Sequence, residues 1–173
     1  VGAGDYGLYF ALFNFSLILN IFLDVGITNF NNRNISQNEQ LLSKHLSGII
    51  VLRFSLAILY FMVLLSSALV VGYSSKVLLM LSLLGVNQFL LSFTLYLRSN
   101  IAGLQLFRTD SIVSVLDRLI MIGICTVLLW GNFFDRAFQI EWFIYAQTLG
   151  YALTAGIAFI IVLSKTQFLK LNW

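Results

Sequence analysis

Ile49–Tyr73, IIVLRFSLAILYFMVLLSSALVVGY, carries a single charged residue, Arg53. A hydrocarbon core ~30 Å thick takes about 20 helical residues to cross, and this run is long enough. Working outward, Leu8–Leu23, Val77–Leu97, Ile112–Trp130 and Phe143–Leu163 reach or approach the same length. Backbone polar groups in lipid must be satisfied within their own segment, so such runs are helices. The sequence therefore predicts an all-α, polytopic transmembrane bundle over 1–173, with about five spanning helices. Their expected limits are roughly 6–29, 47–73, 76–98, 111–131 and 141–164.

Composition points the same way. Apolar residues make up 60% of the chain and charged residues 10%, so most helix surface must face lipid or other helices. The formal net charge is +3, but the basic residues are spread singly, which argues against a nucleic-acid partner. The lone Cys125 excludes an internal disulfide framework. With no Pro in the chain, any kink must come from Gly or from inserted polar groups. The sequence starts at Val1 without a basic n-region or cleavage site and is expected to be a piece of a longer protein.

Loop charges set an expected orientation. The first loop, Asn29–Ser47, holds Arg33, Lys44 and His45, the third holds Arg98 and Arg108, and the tail holds Lys165 and Lys170. The opposite side has Lys76, and Arg136 offset by Asp135 and Glu141. The positive-inside rule then puts the first loop, the third loop and the C-terminal end in the cytoplasm. Tyr73, Trp130 and Trp142 fall at outer-face ends, at headgroup depth. The first loop is read as polar, with a short interfacial helix around Asn38–His45. Asp110 or Ser111 is read as the N-cap of the fourth spanning helix, with Arg108 near lipid phosphates.

Each run carries one polar stripe. Ser16, Asn20 and Asp24 recur every four residues, with Tyr9 near the same azimuth. Arg53, Tyr60 and Ser67 recur every seven. Gly85, Gln88, Ser92 and Tyr96 share a face, as do Ser114, Arg118 and Cys125, with Asp117 beside Arg118, and then Gln147, Tyr151 and Thr154. Ser, Thr, Asn and Gln at such positions ordinarily bond between helices, at about 0.6 kcal/mol each. A charge at mid-helix costs roughly 2.5–3.5 kcal/mol, so an ionisable residue faces protein, faces water or snorkels. Arg53 either lines a cavity or snorkels to the headgroups. Arg118 either lines it or pairs with Asp117, and Asp24 either braces the helix end or binds a coupling ion. Ala146 with Gly150, and Ala152 with Gly156, are small-xxx-small pairs expected to pack helices closely. His45 is the sole histidine, and no HExxH, Cys pair or Gly-rich phosphate loop occurs, so the chain is not expected to be an enzyme.

Two stretches carry a family resemblance. YGLYFALFNFSLILNIFLDVGITNFNNRNIS, with Tyr6-Gly7, Asp24-Val25-Gly26 and Arg33, resembles the N-terminal region of polysaccharide (O-antigen type) flippases of the multidrug/oligosaccharidyl-lipid/polysaccharide exporter superfamily. LRSNIAGLQLFRTDSIVSVL is similar to the segment joining that family's fourth and fifth helices. The resemblance implies most of one lobe of a two-lobed transporter, with these helices as the second to sixth. It implies a multi-pass protein of the bacterial inner (plasma) membrane that flips an undecaprenyl-pyrophosphate-linked oligosaccharide for lipopolysaccharide or other surface polysaccharide. The implied partners are that lipid-linked oligosaccharide, membrane lipids and polysaccharide assembly proteins. Arg53 and Arg118 are then the candidates for the pyrophosphate, and Asn20, Tyr60, Gln88 and Gln147 for the sugars. Asp24 and Asp117 are the candidates for a coupling proton or sodium ion, with no cofactor or metal otherwise expected. The competing expectations are a cation-coupled multidrug exporter of the same superfamily, a glycan-polymerising membrane enzyme, and a membrane scaffold without transport.

Overall fold

The computed structural model describes residues 2–130 and 140–171. Asp135 and Arg136, used above for the charge balance, lie outside the described residues, as does the side chain of Lys170. The described residues form α1 (Ala3–Ile18), α2 (Ile21–Asp24), α3 (Ile27–Gln37), α4 (Gln40–Val71), α5 (Ser75–Gly103), α6 (Phe107–Trp130) and α7 (Ile140–Leu171). Four helices, α4 to α7, are long and apolar enough to cross a bilayer. The chain from Gly4 to Gln37, bent by 40° at its break, makes a fifth crossing when taken as one span. The fold is all-α, and the protein is a multi-pass helical membrane protein.

The first span departs from the expected unbroken helix 6–29. It breaks at Leu19–Asn20 and again at Val25–Gly26, where φ is 44° and 79°. Gly26 adopts the left-handed conformation without steric penalty, but Val25 is β-branched and strained there. Something outside the segment must hold that turn, and α4 does, as described below.

The polar loop expected at 29–47 is also largely helical. Residues 27–37 form α3, which packs along α5 and buries Asn31 and Ile35. Gly103 of α5 makes this possible, because a Cβ there would stand 2.9 Å from Ile35 Cβ. The interfacial helix expected at Asn38–His45 is not a separate element, since α4 already starts at Gln40. Hydrophobicity alone places α4's start at the apolar run. The α3 contact instead extends the helix toward its polar N-terminal turns.

The α5–α6 connection is shorter than predicted and turns through Gln105 at φ 59°. Asp110 and Ser111 lie within the first turns of α6 and do not cap it. Asp110 instead accepts from Arg98, with Nε···Oδ1 at 2.7 Å and Nη2···Oδ2 at 3.3 Å. An ion pair across the turn thus takes the place of the predicted cap.

Buried apolar side chains form two clusters. One joins Leu12, Leu64 and Leu84, and the other joins Ile35, Leu97 and Val162. Along α5 the first cluster reaches Leu84 and the second begins at Tyr96, with Gln88 and Ser92 buried between them. A polar layer therefore divides an otherwise apolar bundle. The small residues of α7 serve it only in part. Ala146 and Gly150 are buried, and a Cβ on Gly150 would come within 3.2 Å of the Asp117 carbonyl oxygen of α6. Ala152 and Gly156 are exposed, contrary to the packing expected of them. Thr154, Ala155 and Ala158 turn inward instead, because the face of α7 that meets α5 follows their register.

Candidate functional site

The polar layer is built around Arg53, which is 1% exposed. Four of its five N–H groups are engaged. Nη1 donates to the Leu23 carbonyl at 2.9 Å and to Ser92 Oγ at 2.8 Å. Nη2 donates to Thr28 Oγ1 at 2.6 Å and pairs with Asp24 Oδ1. The guanidinium also lies over the Tyr96 ring, 5.1 Å from its centroid, a cation–π contact that helps hold a charge away from water. Arg53 therefore neither snorkels nor hangs free in a cavity.

Its position explains the broken first span. A helix break leaves carbonyls without intrahelical donors, and in lipid each such group is costly. Arg53 caps the Leu23 carbonyl at the end of α2. Seven residues on, on the same face of α4, the Tyr60 hydroxyl donates to the Ser16 carbonyl at 3.1 Å, near the end of α1. One face of α4 thus supplies donors to both interruptions. Asp24 locks the second turn further, because its Oδ1 accepts from the Thr28 N–H at 3.1 Å and the Thr28 hydroxyl at 2.6 Å. Thr28 stands four residues beyond Asp24, but a left-handed turn separates the two, so helical spacing from Ser16, Asn20 and Asp24 did not single it out.

An open cavity of about 770 Å³ lies against this turn, lined by Asn20, Asp24, Gly26, Thr28, Asn29 and Ser92 among others. The Asp24 side chain is 37% exposed, and its Oδ2 accepts none of the bonds above. Asn20 Nδ2 donates to Gln88 Oε1 at 3.1 Å, which anchors the cavity wall to α5. Asn29 and Thr28, neither singled out from the sequence, contribute a further amide and hydroxyl to the wall.

The remaining predicted residues separate into three places. Tyr60 and Gln88 are buried and do not line the cavity, the Tyr60 hydroxyl donating to the Ser16 carbonyl and Gln88 Oε1 accepting from Asn20. Gln147 belongs to a second polar cluster, where its Oε1 accepts from Tyr9 OH at 3.4 Å and Asn87 Nδ2 at 3.3 Å, and its Nε2 donates to Tyr151 OH at 3.3 Å. Arg118 and Asp117 lie on α6, which packs on α7 and α5, and neither lines the cavity. Arg118 is 67% exposed beside Asp117 at 3.5 Å, a local pair. Among the described residues no group of His, Cys, Asp and Glu is placed to hold a metal ion. No family model, curated protein or solved structure matches the chain.

Proposed function

We propose that the chain forms part of a membrane transporter that carries a lipid-linked oligosaccharide, of the undecaprenyl-pyrophosphate type, across a bacterial inner membrane by alternating access. The observation that carries this reading is the broken first span, whose turn presents Asn20, Asp24, Thr28 and Asn29 to a cavity of about 770 Å³ beside a buried polar layer. Non-helical backbone at membrane depth is tolerated where it is buried in protein or lines a wet cavity, and discontinuous helices mark substrate sites in transporters. Sugars and pyrophosphate need such a polar route, because unpaired polar groups in hydrocarbon cost several kcal/mol each, on the order of 4–8 in the fully apolar limit. The resemblance of residues 6–36 and 97–116 to polysaccharide flippases supports the choice of cargo. In this reading Asn20 and Asn29 bond sugar hydroxyls, and Arg53 shapes the cavity by holding its turn. Arg118 stands apart from this cavity.

The free Oδ2 of Asp24 supports a second reading, cation-coupled export of another cargo, in which that oxygen takes a sodium ion or proton from the cavity.

The test uses a strain lacking the full-length gene, in which lipid-linked oligosaccharide is quantified on the inner leaflet. Accumulation cured by wild type, but not by Asn20→Ala or Asn29→Ala at equal membrane level, is the expected result. Absence of accumulation on deletion would sink glycan flipping. Gradient-driven efflux that is lost in Asp24→Asn would then favour the second reading.

A further inference from the structure

We infer that the α3–α4 hairpin holds a binding site for the headgroup of an anionic phospholipid, independently of the transport reading. A pocket of about 220 Å³ opens between these helices, walled by Phe30, Ile35, Leu41 and Ile49, with Asn34 and His45 supplying polar groups. A water's share of the liquid is about 30 Å³, so the space admits a group of phosphodiester size and excludes a sugar chain.

Charge and depth select the occupant. Arg33 and Lys44 directly precede the lining residues Asn34 and His45, and both are exposed. Among the described residues the side chains of Arg33, Lys44 and His45 have no ion-pair or hydrogen-bond partner, whereas Arg98 is paired with Asp110 and Lys76 with Glu141. Glu39, in the turn between the two helices, is the single acidic residue of the hairpin. The pocket also sits where α4's apolar run begins, at Ile49, with Phe30 67% exposed on the facing helix. The site therefore straddles the boundary between headgroups and acyl chains, with cations above and an apolar wall below. Basic pockets between membrane helices at the cytoplasmic side are suited to acidic headgroups, and the loop charges place this end of the bundle there. The phosphate lies between Arg33 and Lys44, the Asn34 amide and His45 imidazole bond the headgroup oxygens, and an acyl chain follows Phe30 and Ile49.

The experiment is native mass spectrometry of the full chain released from nanodiscs containing equal phosphatidylglycerol and phosphatidylcholine. Retention of phosphatidylglycerol over phosphatidylcholine is expected. The preference should fall about five-fold for each cation removed in Arg33→Gln and Lys44→Gln. The charge-keeping pair Arg33→Lys and Lys44→Arg should retain it, as should Lys76→Gln at the opposite end. Circular dichroism confirms that each variant keeps its helix content. Equal retention of the two lipids by wild type would overturn the site, as would an undiminished preference in the double Gln variant. An equal loss in Lys76→Gln would reduce the effect to overall charge and also overturn it. Displacement of the lipid by excess inorganic phosphate would overturn the acyl-anchored occupant.

Discussion

Arg53 and Arg118 look alike in sequence, each a lone cation in an apolar run with an aspartate within reach, and the fold treats them in opposite ways. Arg53 faces α2, α3 and α5 at once and is enclosed by donors' natural partners: a carboxylate, two hydroxyls and an orphan carbonyl. Arg118 projects from α6, the least buried of the long helices, and among the described residues its ion-pair partner is its neighbour Asp117. The difference teaches that an intramembrane charge becomes structural when the opposing helix is broken there. A continuous helix has no free carbonyl to offer, and a broken one has several.

The widest expected separation comes from deleting the two charges. Arg53→Ala takes the guanidinium donor from Ser92, Thr28 and the Leu23 carbonyl and leaves the Asp24 carboxylate without its cation, and should destabilise by about 2–3 kcal/mol. That is less than the full effect of breaking a buried pair, because Asp24 keeps partial exposure. Arg53→Lys should not restore it, since one ammonium cannot reproduce a planar fork serving four acceptors. Thermal unfolding of the detergent-purified protein measures both, and a wild-type midpoint in Arg53→Ala would break the comparison.

Next in size is a pair of glycines from the same two regions. Gly103→Ala drives a Cβ to 2.9 Å from Ile35 Cβ, close to the α3 backbone, and should cost about 2 kcal/mol by overpacking. Gly123→Ala on α6 meets nothing within 4 Å and should be neutral or stabilise by up to about 1 kcal/mol. Equal effects in the two would show that α3 does not pack on α5 as described.

Tyr60→Phe removes only the hydroxyl that caps the Ser16 carbonyl, and a loss of about 1 kcal/mol is expected. Amide exchange of residues 15–20 should quicken in that variant, while exchange around Val25–Gly26 holds, because Arg53 guards the second break separately. Arg118→Ala closes the series at no more than about 0.5 kcal/mol, as for any exposed local pair. A shift as large as that of Arg53→Ala would mean that α6 has a covered face.

Apolar run length settled the class of this protein and the approximate places of its spans, because a bilayer leaves the backbone few alternatives. Helical spacing also placed Ser16, Asn20 and Asp24 on one seam, and Arg53 and Tyr60 on one face. It did not show that these two sets meet, nor that the seam continues to Thr28 past a left-handed turn. The breaks at Leu19–Asn20 and Val25–Gly26, the helicity of Ile27–Gln37 and the N-terminal extension of α4 were hidden for one reason. Local pattern reports which residues prefer lipid, whereas the turn at the strained Val25 is held by Arg53 of α4 and Asn31 by Asn100 of α5. Equal sequence signals at Arg53 and Arg118 likewise diverged through the packing neighbours of α4 and α6. What residue type and spacing determined was which side chains must avoid hydrocarbon. Which of them find partners, and which remain to line a cavity or meet a headgroup, was decided only when the helices were brought together.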